Sequence, residues 1–443
     1  MSVRPQAAAA ISLCAALLLT AAPAPAQTSL TLEDAMKRAQ GETSEARALA
    51  TAIDEADARI RRAQSGFWPR VDLTETVQRG NQPIFVFSSL LAQRRFTAAN
   101  FAISSLNHPD PVTNTRTAVA LEQAAFDGGL TRLGVEAARF ERVAAVASRD
   151  AASQDLAFRA AQAFVRVLQL EATARATGAA VAAAESDRQR ARARREVGLV
   201  TEADVLAVDV HLADMRQRQI AASGDLTVAR MEFAEAVGVP LTAEVVPVRP
   251  VSRSASADED ALVREALTTH PLLRQASVRV QLADNGRRTA RAALLPTVGV
   301  QAGWEFNGAT LGAQQSSWVI GAEVRVNVFR GFGDTARVAE ARYAHVRATA
   351  ERDRVARRVE VDIRGAFAQL AAARARGDAG RAALTQARES QRIVRDRYET
   401  GLATVTDVLR AAEATLDAES RATAAEMDVI LQTVALDRAL GRL

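Results

Sequence analysis

Cysteine is almost missing: Cys14 is the only one in 443 residues. One cysteine cannot build a disulfide scaffold or a cysteine-rich metal site within the chain. Aromatic residues make up 4%, with only two Tyr and three Trp. A conventional core of this size would contain more. Lysine is nearly as scarce, Lys37 standing alone among 56 basic residues, so the positive charge is carried by arginine. The formal net charge is only +4, and acidic and basic residues are mixed along the whole chain. The high isoelectric point therefore reflects arginine chemistry, and no basic face interleaved with aromatics marks a nucleic-acid binder. The four histidines, His108, His211, His270 and His345, are isolated. No His or Cys cluster has metal-ligand spacing, and no phosphate-binding loop occurs. Gly331-Phe332-Gly333 is a lone glycine pair, so neither an enzyme nor a cofactor is expected. Past Gln27 no apolar run approaches the roughly 18 residues of a membrane-spanning helix. If the protein crosses a membrane, strands must do so.

What is plentiful is alanine and other small or aliphatic residues, with 48% of the chain in the apolar set. That composition favours long helices. The amino terminus reads as a signal peptide over residues 1–26: Arg4 precedes an apolar stretch from Ala7 to Ala22, and Ala24-Pro25-Ala26 offers small residues for cleavage before Gln27. Cys14 lies in that stretch behind Ile11-Ser12-Leu13, where the leucine does not suit lipoprotein processing. The mature chain is expected to have no thiol and no lipid anchor.

The remainder contains one unit twice, over 27–250 and 251–443. Ala63–Leu73 matches Ala290–Val300, pairing Pro69 with Pro296, which are 227 residues apart. Further on, Phe126 pairs with Phe329, Val197–Leu206 with Thr400–Leu409, and Gly238 with Gly441, all 203 apart. The first unit thus carries 24 additional residues between Pro69 and Phe126, in a segment around Gln82–Asn114 that reads as a long loop. Self-similarity at this scale indicates a duplicated structural unit.

Within each unit the periodicity switches. Leu32–Gly66 is helical in pattern, with Thr43 and Ser44 as a candidate N-cap region, and Pro69 ends it. A helix is predicted from Leu130 to about Glu196, and another from about Thr201 to Val237. The seam of the first, Phe140, Ala144, Ala147, Ala151, Gln154, Phe158, Ala161, Val165, Leu168 and Ala172, alternates steps of four and three. Between Pro and Phe the period is two. Val298, Val300, Ala302, Trp304 and Phe306 share one face of a strand, and Ile320, Ala322, Val324, Val326 and Val328 share one face of its return. In the first unit Val71, Leu73 and Val77 alternate with Arg70, Asp72, Thr74 and Thr76, with Glu75 interrupting the apolar side. Four such strands cannot close a barrel alone, so other subunits must cover their edges.

In these residues the chain resembles the TolC-like outer-membrane efflux protein family over essentially its whole mature length. The resemblance rests on the repeat, the helix-Pro-strand junctions at Pro69 and Pro296, the glycines before the return helices, and Tyr398-Glu399-Thr400-Gly401-Leu402 followed by Thr406-Asp407-Val408-Leu409. It implies a mainly α fold with a small β part. In a homotrimer, four strands per subunit would form a shared 12-stranded transmembrane barrel, and a coiled-coil helical barrel would extend as a tunnel into the periplasm. The implied function is the exit duct of a tripartite efflux or type I secretion system. That duct would passively conduct small molecules or proteins from an inner-membrane RND or ABC transporter through a periplasmic adaptor. The same resemblance assigns adaptor docking to Val197, Gly198, Leu199, Thr400, Gly401 and Leu402, and a periplasmic gate to Asp204, Tyr398 and Asp407. Two departures bear on the gate: Arg410 stands where some members place a second aspartate, and Ala403 where others place a locking arginine. Trp304 and Trp318 suit an aromatic belt at the membrane interface. The competing reading is a non-channel periplasmic coiled-coil adaptor, which would show one helical hairpin between flanking β segments, whereas here the helix-strand-strand-helix unit occurs twice.

Overall fold

The computed structural model describes residues 28–243, 245–250 and 258–443. The expected signal peptide, Cys14 and the start of the expected second unit lie outside these residues. A short strand β1 (Thr28–Leu30) leads into α1 (Leu32–Gly41) and α2 (Ser44–Gln64). The helical stretch divides within the expected N-cap region, at Thr43, whose hydroxyl caps α2 by accepting from the Ala46 N–H at 3.1 Å. Strand β2 (Arg70–Gly80) follows Pro69, and after an intervening segment comes β3 (Val112–Phe126). That segment is not the expected open loop. It contains α3 (Pro83–Ala92), a 3₁₀ turn at Ala98–Phe101 and α4 (Ile103–Asn107), and the strand begins before Asn114.

Helices α5 (Leu130–Glu196) and α6 (Glu202–Ala236) have 67 and 35 residues. At 1.5 Å per residue α5 is about 100 Å long. After β4 (Val245–Pro247), which pairs in parallel with β1, the second unit runs α7 (Glu259–Thr269), α8 (Pro271–Ala292), β5 (Thr297–Gly308), β6 (Gln314–Arg325), α9 (Gly333–Glu399) and α10 (Val405–Ala439). Helices α9 and α10 again have 67 and 35 residues, and their bounds lie 203 residues beyond those of α5 and α6.

Each long helix is covered in two stretches. Helices α2 and α6 pack along α5, α8 and α10 pack along α9, and α8 and α10 also contact α5. The predicted seam of α5 is buried or half-buried throughout. The largest apolar cluster lies where α1, α5, α6 and β4 converge, around Phe164 and Phe233, whose rings meet edge-to-face at 5.7 Å. A second cluster joins α7, α8, α9 and α10 around Ile363 and Leu370.

The other sheet is antiparallel in the order β2-β3-β5-β6, leaving β2 and β6 as its edges. Its register sets Leu73, Val119, Trp304 and Trp318 in one row and Val71, Leu121, Ala302 and Ile320 in the next. These side chains form one apolar face, largely exposed in the single chain. The opposite face carries Asn114, Arg116, Glu305 and Asn307, with an ion pair between Arg116 and Glu305. Expected strand positions Val326 and Val328 fall beyond β6, because Arg325 is the last residue paired, opposite Thr297, and Pro296 offers no N–H to extend the ladder.

Candidate functional site

At the far end from the sheet, two helical hairpins turn. Val197 follows the end of α5 as its C-cap, Gly198 takes a left-handed φ of 75°, and Thr201 is the N-cap of α6. In the second hairpin Thr400, Gly401 (φ 81°) and Thr404 take the same places between α9 and α10. Both turns close in the same way. Gly198 and Leu199 donate to the carbonyls of Arg195 and Arg194, each at 2.9 Å, and Gly401 and Leu402 donate to those of Tyr398 and Arg397 at 3.1 and 2.7 Å. These paired bonds satisfy carbonyls the helix end leaves open, and they require a residue that tolerates positive φ, hence the glycines. A hydrophobic residue at the place of Leu199 and Leu402 commonly folds back onto its own helix. Here they do not: they are 72% and 70% exposed, with Val197 beside Leu199 also exposed. The molecule holds out apolar knobs that none of the described residues covers.

The aspartates expected at a gate occupy matching places. Asp204 and Asp407 are each the third residue of their helix and complete a capping box. The Asp204 N–H donates to the Thr201 hydroxyl at 3.3 Å while the Thr201 N–H donates to the Asp204 carboxylate at 2.8 Å; for Asp407 and Thr404 the distances are 3.2 and 2.9 Å. The Thr404 hydroxyl, then its N–H, holds the Asp407 carboxyl below the usual carboxylate range, with Arg410 and Arg397 adding to the effect. For Asp204 the Thr201 N–H leads and the hydroxyl follows, again lowering the pKa.

Tyr398 is placed differently. Its ring lies under the Arg194 guanidinium, 4.4 Å from ring centroid to the guanidinium carbon. Arg194 also donates to the carbonyls of Tyr398 and Glu399 at 3.0 and 3.1 Å. One arginine from α5 thereby donates to two successive carbonyls at the end of α9, that of Tyr398 also taking the Gly401 N–H, and stacks on its last aromatic ring. Below it, Ala191, Val205, Val208 and Val405 form a small apolar cluster joined by Tyr398 and Leu409. The two hairpins are thus tied together at their tips, while neither aspartate bonds to Tyr398. Arg194 is not among the site residues expected from sequence. An arginine in the last turn of a helix is ordinary, and its partner is 204 residues away in sequence.

Elsewhere His270 serves as a helix start. It is buried, and its Nδ1 accepts from the Leu272 N–H at 3.2 Å ahead of Pro271. Burial pushes its pKa down, opposed by its bond to the Ala439 carbonyl. Among the described residues no group of three or more His, Cys, Asp or Glu is arranged to hold a metal, and no helix is long and apolar enough to cross a membrane.

Long paired hairpins rooted in a small amphipathic sheet are the architecture of TolC-like channels. The solved structure of the outer membrane protein VceC from Vibrio cholerae matches with a TM-score of 0.74 at 19% identity, over 93% of this chain and 96% of that one. The model of the family "Outer membrane efflux protein" matches residues 36–239 and 262–442, and the chain belongs to that family. Among curated proteins it is similar to the outer membrane efflux protein BepC of Brucella suis, 26% identical over 341 residues, covering 75% of this chain and 74% of that protein. It is also similar to protein CyaE of Bordetella pertussis, 27% identical over 359 residues, covering 80% and 74%.

Proposed function

We propose that three copies of this chain form an outer-membrane exit duct, each supplying four strands to one barrel and two helical hairpins to one periplasmic tunnel. The observation that carries this reading is the four-stranded sheet, which has an apolar face, a polar face and two unpaired edges. Lipid tolerates no open edge, and a barrel closed by copies of the same sheet removes all of them. The equal helix lengths support a duplicated unit with its first half over 27–250 and its second over 251–443. Trp304 and Trp318, opposite one another across β5 and β6, suit the aromatic belt at the interface.

At the other end, Val197, Gly198, Leu199, Thr400, Gly401 and Leu402 dock a periplasmic adaptor, which couples the duct to an inner-membrane RND or ABC transporter. The pump selects and drives the cargo, small molecules or protein, and the duct conducts it passively. Asp407 supplies an acidic ring at the narrow end, with Asp204 and Tyr398 in the surrounding closure. Membrane fractionation with gel migration before and after boiling tests the assembly. The expected result is an outer-membrane species that runs as a trimer until heated. A soluble monomer would overturn the duct.

A further inference from the structure

The segment by which the first unit exceeds the second is built onto the polar face of the sheet. Residues 309–313 alone join β5 and β6, whereas 81–111 join β2 and β3. Helix α3 in the longer connection is anchored by a chain of amides: Gln93 donates to Asn114 Oδ1 at 2.9 Å and to the Thr113 carbonyl at 2.8 Å, and Asn114 donates to Asn307 Oδ1 at 2.9 Å. All three side chains are buried, and Asn114 and Asn307 belong to the face of Arg116 and Glu305. Arg94, held at a left-handed φ of 54°, reaches across to the Ser316 carbonyl of β6 at 3.2 Å. Val86 and Ser89 are buried as well. These contacts fix the place of α3, so it is no free tether.

The remaining side of α3 has no partner among the described residues. No charged residue lies between Gln82 and Gln93, and Ile84 and Leu91 are 79% and 49% exposed. An aromatic run backs the helix, Phe87 on Phe96 at 4.8 Å and Phe96 on Phe101 at 5.1 Å, both edge-to-face. Ile84 and Leu91, seven residues apart, lie on one face of the helix with the exposed Ser88 between them. If the sheet belongs to a shared barrel, as proposed above, its polar face is the inside, and every copy holds α3 at the same height within the lumen. Twelve strands about 4.8 Å apart and tilted by about 40° enclose roughly 24 Å from backbone to backbone. Three helices of about 10 Å diameter, side by side, occupy a circle of roughly 22 Å. Inward side chains of the wall take part of that width, so three helices held at one height are pressed together at the axis.

We propose that the α3 helices of three copies meet through Ile84 and Leu91 and close the outer mouth of the duct with an apolar plug. A constriction of this chemistry excludes water and ions by dewetting until cargo parts it. The test is Ile84→Cys in a chain whose only native cysteine is Cys14. Oxidation in isolated outer membranes is expected to move about two of every three chains into a disulfide-linked dimer, since three thiols can form one bond. Ile320→Cys, on the apolar face of β6, is expected to stay monomeric. In planar bilayers Ile84→Arg is expected to raise single-channel conductance. The plug is overturned if heat-sensitive trimers of Ile84→Cys form normally while the introduced thiol stays unlinked and reacts freely with a bulky impermeant maleimide. Absence of any trimer in the unsubstituted protein would remove the barrel reading, and the plug with it.

Discussion

Asp407 has two jobs to separate: it completes the cap of α10 through Thr404, and it carries the charge assigned to the gate. Thr404→Val breaks the cap and keeps the carboxylate. It is expected to cost roughly 1 kcal/mol in the first turn of α10, seen as faster amide hydrogen exchange there, without altering ion selectivity. Asp407→Ala is expected to fray the same turn and also to reduce cation preference in planar bilayers. Equal selectivity in the two variants would assign Asp407 to capping alone. The pH dependence has a definite sign. The folded-state pKa of Asp407 is lowered, so its contribution to stability is present above the ordinary value of 3.8 and is lost as pH falls through the lowered one. Three such carboxylates brought close on a threefold axis would push one another upward. Cation preference that titrates away above the ordinary value of 3.8 would therefore report a tight ring.

At the scale of elements, the tie between the hairpins is Arg194. Arg194→Ala is expected to weaken the α5–α9 junction by about 1–2 kcal/mol and to raise channel conductance, because α9 loses both a ring contact and two carbonyl partners. Arg194→Lys should not restore the tie, since an ammonium lacks the planar fork that reaches two successive carbonyls. Unchanged conductance in both variants would show that the tips are held by the Val205–Val405 cluster instead. Both hairpin turns are legible in the sequence, because glycine, threonine and an aspartate three residues on are local signals that the backbone obeys. The Arg194 partnership is not, because nothing in a local pattern records which helix end lies alongside. Helix α3 escapes a sequence reading for another reason: Pro83–Ala92 is uncharged and its only polar residues, Ser88 and Ser89, are adjacent, so they mark no helical period, and its polar anchors, Gln93, Asn114 and Asn307, are scattered along the chain. Strand β6 is shorter than its pattern suggests, because Val326 and Val328 continue the alternation after the partner strand has stopped at Pro296.

For the whole molecule, the decisive matter is which face of the sheet meets lipid. Val319 and Ile320 are neighbours on β6 and almost equally exposed in the single chain, 66% and 67%, but they lie on opposite faces. Ile320→Arg places a charge on the proposed lipid face one row below the proposed aromatic belt, at a cost between the roughly 0–1 kcal/mol of the interface and the roughly 2–4 kcal/mol of the midplane, and is expected to deplete heat-sensitive trimers from the outer membrane. Val319→Arg is on the face proposed to line the lumen and is expected to leave trimer yield unchanged. The reverse order would invert the barrel.

The two units differ by the segment that carries α3, the 3₁₀ turn and α4, yet none of that surplus lies in the long helices, which have 67 and 67 residues. One residue inserted in a single long helix would displace its tip by about 1.5 Å and turn every later side chain by about 100°. The outer connection can therefore lengthen and diversify in evolution one residue at a time. The helices act as paired rulers, and a change in the span they measure is workable only when both are cut or extended together.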